Sequence, residues 1–250
     1  MNSSSISDNG QYPIIVQEAT NNDNVFNSFK RHPWYTPILE HVSYEDGIKY
    51  INIINEEYSF LLNNIDKYKT NDNVGNPIMH SYGELGNMSP TTLRYMKVLG
   101  DIVNNFGNLD GLDIVEIGCG YGGQAKLIFD TYDIKSYTFI DLPVVLELIK
   151  KYLSNFNIDM GKLIFKDITL LTENEKYDFF ISNYAYTECS ESIRETYFKN
   201  VLSKSKMGYL TSNMLSRETM KAEVVDKFQN CFIIEEKPHT GDLNFIIVWK

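Results

Sequence analysis

The run Leu112-Asp113-Ile114-Val115-Glu116-Ile117-Gly118-Cys119-Gly120-Tyr121-Gly122-Gly123 reads as a strand, a tight glycine bend and the start of a helix. Asp113 is the one strong polar interruption before Glu116, so the strand suits a parallel sheet covered on both faces. Glycines lack a Cβ, which permits the sharp bend and lets a ligand approach the backbone. Gly118, Gly120 and Gly123 also spell G-x-G-x-x-G, the pattern used for dinucleotides.

Glu116, two residues ahead of the first glycine, separates the two readings. A carboxylate there suits a cationic or hydroxyl-bearing ligand and repels a pyrophosphate. S-adenosylmethionine (SAM) carries a sulfonium, an ammonium and no phosphate, and it fits an acid followed by glycines. The bland alternative is a plain strand-turn-helix corner.

The chain has 250 residues, 43% of them apolar, enough for one large domain or a domain with a helical addition. Its net charge of −10 repels a phosphate backbone, and no basic run is longer than a pair, so nucleic acid is not expected as a partner. Cys119, Cys189 and Cys231 are too few and scattered for a disulfide framework, and they suggest reduced thiols in a cytoplasmic protein. No apolar run is long enough to span a bilayer, so no membrane partner is expected. His32, His41 and His80 form no metal-binding spacing with each other or with cysteine, and no metal is expected.

Along the chain, residues 1–10 read as a disordered tail. Gln11 to Pro37 reads as loops with one short helix around Asp23 to Arg31. Ser43 with Asp46 resembles a capping box, and Ile51, Ile54, Tyr58, Leu61 and Ile65 continue it as one amphipathic helix. Thr70 to Pro77 breaks that helix. Ser89-Pro90 starts another, whose buried face is Leu93, Met96, Leu99, Ile102, Val103 and Phe106, ending at Gly107.

Strands then alternate with helices, the signature of a parallel sheet with crossovers. Strands are expected at Ser136 to Ile140, Lys162 to Phe165, Tyr177 to Ser182 and Gly208 to Ser212. Helices are expected at Pro143 to Phe156, Ser190 to Leu202 and Arg217 to Phe228. Cys231 to Glu235 and Asn244 to Trp249 are joined by a segment too short for a crossover helix, so they form an antiparallel hairpin. The fold class is therefore α/β: a Rossmann-like, mostly parallel sheet with an antiparallel C-terminal hairpin strand, preceded by a helical N-terminal region. The expected division is 1–110 for the helical region, roofing the acceptor site, and 111–250 for the SAM-binding domain.

Ligands of such sheets bind at the carboxyl ends of the strands. Those ends carry Glu116 with Gly118, Cys119, Gly120 and Gly122, then Asp141-Leu142, Asp167-Ile168, Asn183-Tyr184 and Asn213. Asp141 lies at the distance expected for a carboxylate that takes ribose hydroxyls; as a helix cap it has a second use. Asp167 either accepts from an adenine amino group or caps the turn that follows. Asn183-Tyr184-Ala185-Tyr186-Thr187-Glu188 falls where methyl donor and acceptor meet. Methyl transfer is an in-line displacement, and a base is needed only to take the hydroxyl proton. His239, Glu188 and Asp141 are candidate bases, the last already claimed by ribose, and Tyr186 is a further catalytic candidate. Tyr184, Glu188, Asn213 and His239 are candidate substrate contacts.

These residues, together with Gly75-Asn76-Pro77, Ser89-Pro90-Thr91-Thr92-Leu93-Arg94-Tyr95, Asp141-Leu142-Pro143-Val144-Val145, Glu236-Lys237-Pro238 and Asn244-Phe245-Ile246-Ile247-Val248-Trp249, make the chain resemble a sugar O-methyltransferase family of the Rossmann-like SAM-dependent methyltransferases. The resemblance covers about the last seven-tenths of the chain. It implies a SAM cofactor, a sugar or nucleotide-sugar acceptor, and an Arg94 that closes over the cofactor from the helical part. Cys119 and Thr187 depart from the pattern by small residues only. The Asp-Leu-Pro run is shared with plant-type O-methyltransferases, whose histidine after the fourth strand is Tyr184 here, so that mechanism does not transfer. Two rival readings are a non-catalytic SAM- or glycan-binding subunit and an NAD(P)-dependent oxidoreductase. A homodimer through the helical part is a further expectation.

Overall fold

The central strand β1 (Asp113–Ile117) pairs in parallel with β2 (Ser136–Ile140) on one side and β4 (Tyr177–Asn183) on the other. Ile114 joins one apolar cluster while Val115 and Ile117 join another, so both faces of the strand are covered. This explains the near-continuous apolar run. In the computed structural model, which describes residues 10–250, the full sheet is ordered β3-β2-β1-β4-β5-β7-β6. Here β3 is Leu163–Lys166, β5 Ser205–Ser212, β6 Cys231–Glu235 and β7 Phe245–Trp249. The disordered tail expected over 1–10 lies outside the described residues, apart from Gly10.

The chain moves outward from β1 to β3 and then returns to β4, which places the switch in direction between β1 and β4. β7 runs antiparallel to both β5 and β6, so the hairpin turn lies on the same edge as the ends of the parallel strands. Gly208 makes room for this hairpin, since a Cβ there would fall 2.1 Å from the Trp249 ring.

The crossover helices are α4 (Gly123–Thr131), α5 (Pro143–Leu153), α6 (Glu191–Asn200) and α7 (Arg217–Glu223). Two of them stop short of the expected ends at Phe156 and Phe228, giving way to turns. Ahead of the sheet lie α1 (Gln11–Asn21), α2 (Tyr44–Glu57) and α3 (Pro90–Phe106). The Ser89 hydroxyl accepts from Thr92 N–H at 3.1 Å, and Asp72 accepts from the Ser89 N–H and hydroxyl, each at 2.7 Å. Residues 90–102 of α3 are buried all round, polar ones included, because the helical segment covers the outer face.

Three elements differ from the sequence reading. α1 occupies a stretch expected to be mostly loop; Tyr12, Ile15, Val16 and Ala19 form its buried stripe, and Lys151 on α5 donates to its last carbonyls at 3.2 and 2.9 Å. The helix after Ser43 ends at Glu57 rather than running through Ile65. Tyr58 leaves the helical path, lays its ring on Gly100, and donates its hydroxyl to Asp101 at 2.7 Å. A small separate hairpin, His80–Ser81 with Asn87–Met88, interrupts the otherwise largely helical residues 11–106. One apolar cluster runs from Tyr12 through α3 to Val248, so the helical segment and the sheet share a core.

Candidate active site

A cavity of about 530 Å³ opens at the carboxyl edge of the sheet, floored by the strand ends and walled on one side by the helical segment. That volume falls in the range of small-molecule sites. Glu116, Gly118, Cys119, Gly120, Asp141, Leu142, Asp167, Ile168, Asn183, Tyr184, Glu188 and Asn213 all line it, as does Arg94 from α3.

The glycine bend is shaped by its neighbours. Gly118 has φ of 72° and donates its N–H to the Ile140 carbonyl at 3.0 Å; a Cβ there would fall 1.9 Å from the Ala185 Cβ. Gly120 has φ of 56° and faces Leu39 from the helical segment. Asp141 closes the bend from β2: its Oδ2 accepts from Cys119 N–H at 2.7 Å and its Oδ1 from Leu142 N–H at 2.8 Å. One carboxylate thus ties two strand ends together.

Glu116 is buried and accepts from the Tyr137 hydroxyl at 2.7 Å. Burial is the main cause that pushes its carboxyl up to about 8, against the pull of that hydrogen bond, and Asp141 raises it further. Arg94 is buried with its Nη2 donating to the Leu39 carbonyl at 3.1 Å, which leaves other guanidinium N–H groups for a ligand.

At the β4 end, Tyr184 has φ of 70°, an unusual backbone for a bulky residue, and its N–H bonds the Thr211 carbonyl at 2.9 Å. Asn213 is oriented by Thr187, whose hydroxyl donates to its Oδ1 at 2.7 Å, and its amide then donates to Glu188 Oε1 at 2.8 Å. Glu188 is therefore held in place at the cavity wall. Asp167 caps the turn after β3 through Thr169 N–H at 2.8 Å, the second of the two uses weighed for it, and also lines the cavity. The Thr169 hydrogen bonds hold its carboxyl below the usual carboxylate range.

Three candidates stand elsewhere. Tyr186 is 1% exposed in the apolar layer on the far face of the sheet, its hydroxyl donating to the Arg194 carbonyl at 3.3 Å; apolar packing turns it away from the cavity. Gly122 is the left-handed cap of α4, packed against Ile149 and Leu153. His239 is exposed on the hairpin turn, and the turn lines the cavity with Thr240, Gly241 and Asn244 instead. Among the described residues, no group of three or more His, Cys, Asp or Glu side chains is placed to hold a metal ion, and no helix is long and apolar enough to cross a membrane.

A covering from the helical region was expected, but apart from Arg94 its residues were not named as site residues: Tyr12, Leu39, His41, Asp46, Tyr50 and Tyr95 all line the cavity. Asp46 and Tyr50 lie one helical turn apart on α2, a signal that was readable only once that face was known to meet the sheet. Burial, then the nearby Arg94, lowers the His41 imidazole from its ordinary value, favouring its neutral form.

No family model matches the chain. It is similar to malonyl-[acyl-carrier protein] O-methyltransferase of Acetivibrio thermocellus, 28% identical over 123 residues, which is 45% of this chain and 42% of that protein. The chain thus spans about two-fifths of the length of the curated relative it matches. Among solved structures, the methyltransferase domain of bacterial CtHen1-CN superposes with a TM-score of 0.51 at 14% identity, over 63% of this chain and 97% of that one. The CtHen1-C form of the domain gives 0.49 at 13% identity, over 63% and 96%. The CtHen1-CN likeness and the strand order define the class: the chain has the α/β Rossmann-like fold of methyltransferases, with a mostly parallel sheet and an antiparallel strand near one edge.

Proposed function

We propose that this protein is a SAM-dependent O-methyltransferase that modifies a sugar hydroxyl. The observation that carries the reading is the pair of acids at the glycine bend, Glu116 buried beneath it and Asp141 bonded to its backbone, both lining a cavity sized for a nucleoside and a small acceptor. Such a pair suits a cation and ribose hydroxyls and opposes a pyrophosphate, which disfavours a nicotinamide dinucleotide. Gly118 and Gly120 leave the backbone open to close approach, and Arg94 supplies N–H donors for the carboxylate of a methionine moiety. The residues present fit SAM.

When bound, SAM supplies an electrophilic methyl group on sulfur. In transfer, a C–O bond forms as the C–S bond breaks, and the hydroxyl proton passes to a base. We assign that proton to Glu188, whose Oε1 is fixed by Asn213 at the β4 end. An alternative base is His239, which would have to swing in from its exposed turn. A sugar acceptor is supported by the polar, hydroxyl-matching wall of Asp46, Tyr50, Asn183, Thr240 and Asn244.

Calorimetry with SAM and with S-adenosylhomocysteine tests the cofactor, and heat from NADH but from neither of these overturns the reading. Mass spectrometry of products from free monosaccharides, nucleotide-linked sugars, an acyl-carrier-protein thioester and a short RNA tests the acceptor. Methylation of the thioester or the RNA alone overturns the sugar assignment.

A further inference from the structure

Glu236 stands just past the end of β6 and does not line the cavity, yet its carboxylate gathers four hydrogen bonds. Oε1 accepts from the Tyr184 hydroxyl at 2.5 Å; Oε2 accepts from Thr240 N–H at 2.9 Å, from the Thr240 hydroxyl at 2.7 Å and from the Asn244 amide at 3.2 Å. The Asn244 amide also donates to the Thr240 hydroxyl at 2.7 Å. Glu236 is 6% exposed. All four donors belong to Tyr184, Thr240 and Asn244, three residues that do line the cavity.

We infer that Glu236 is a positioning residue for the acceptor, the single anion that locks the hairpin turn to the end of β4 and so sets the shape of the wall opposite the glycine bend. A buried carboxylate holding only donors is well suited to this use, since charge-assisted hydrogen bonds are shorter and stronger than neutral ones. Tyr184, whose backbone has a φ of 70°, has its hydroxyl fixed by this carboxylate. On the methyltransferase reading SAM would rest on the glycine bend and Asp141, on the far side of Tyr184 from the hairpin turn, so Glu236 would act on acceptor recognition more than on SAM. This inference rests on the methyltransferase reading above.

The test compares Glu236→Ala and Glu236→Gln with the unmodified protein in three measurements. Calorimetric SAM affinity stays within twofold in both variants. Amide hydrogen exchange quickens at least tenfold in Glu236→Ala at Thr240 and its neighbours 237–244, and little elsewhere. Methyl transfer to a panel of UDP- and dTDP-linked sugars loses at least tenfold in kcat/KM, chiefly through the acceptor KM. Glu236→Gln falls between, because its amide oxygen still accepts from some donors while its nitrogen faces the others. Unchanged exchange at Thr240, unchanged acceptor KM, or equal loss of SAM binding in both variants overturns the inference. Should Glu236→Ala fail to fold, the Gln variant decides by the same criteria. Should the unmodified protein bind no SAM, the methyltransferase reading fails while the exchange experiment still judges the lock itself; without turnover on the panel, exchange alone decides.

Discussion

Glu116 shows how one residue couples stability to ligand binding. Its carboxyl is held up at about 8 in the folded chain, against an ordinary value of 4.5, with burial the leading cause. Between those two values the folded state binds more protons than the unfolded state, so this group's contribution to stability is full below the lower value and is lost as pH rises toward the upper one. Glu40, raised to about 7 mainly by burial, adds a slope of the same sign. Glu116→Gln is therefore expected to be more stable than the unmodified protein at pH 8, by on the order of a few kcal/mol, and to flatten the decline between pH 5 and 8. Thermal melts across that range measure it. The same variant is expected to bind SAM at least tenfold more weakly, and SAM affinity of the unmodified protein is expected to strengthen from pH 6 to 8 as ionisation becomes easier. Affinity independent of pH would show that the cation does not sense this carboxyl. Glu116 and Asp141 were legible because their offsets from the glycines are local in sequence. Glu236 was not, since its meaning depends on a tyrosine 52 positions away.

At the scale of elements, the strands and α3 were legible for reasons of burial and capping. β1 is covered on both faces, so its apolar run admits few other readings, and Ser89-Pro90 announces α3 with a cap that the structure confirms at 3.1 Å. α1 was missed because it lacks such announcements: Gly10 provides no side-chain cap, and Gln, Asn and Thr dilute its stripe. What fixes it is tertiary, the burial of Tyr12, Ile15, Val16 and Ala19 against α5. Ile15→Ala is accordingly expected to cost about 3 kcal/mol in urea unfolding, much more than a change at exposed Ile14. The kink at Tyr58 was hidden likewise, because its cause is a glycine on another helix. Gly100→Ala places a methyl 2.2 Å from the Tyr58 ring. It is expected to destabilise by roughly 2 kcal/mol, although alanine favours helices.

Over the whole molecule, the helical segment and the sheet are expected to unfold as one unit. Their apolar core is continuous, and lysines clip them together: buried Lys126 on α4 donates to the Lys67 carbonyl at 2.5 Å and the Thr70 hydroxyl at 2.6 Å, and half-buried Lys151 reaches the end of α1. Calorimetry is expected to give a single transition, with far-ultraviolet helix signal and near-ultraviolet tyrosine signal lost together. Two separated transitions would mean that the roof is an independent body. The α/β class followed from alternation alone; which residues of the helical region face the strand ends did not, because apolar periodicity says that a face is covered without saying by what.

The contact between Gly118 and Ala185 bears on how such chains diverge. The bend's first glycine abuts a methyl group from the segment after β4, so selection for a foldable chain alone would keep it. A chain of this fold with no chemistry to perform would still carry the fingerprint at this position. Drift would show first in the polar residues that face the cavity and bear no comparable packing duty, Asn183 and Glu188 among them.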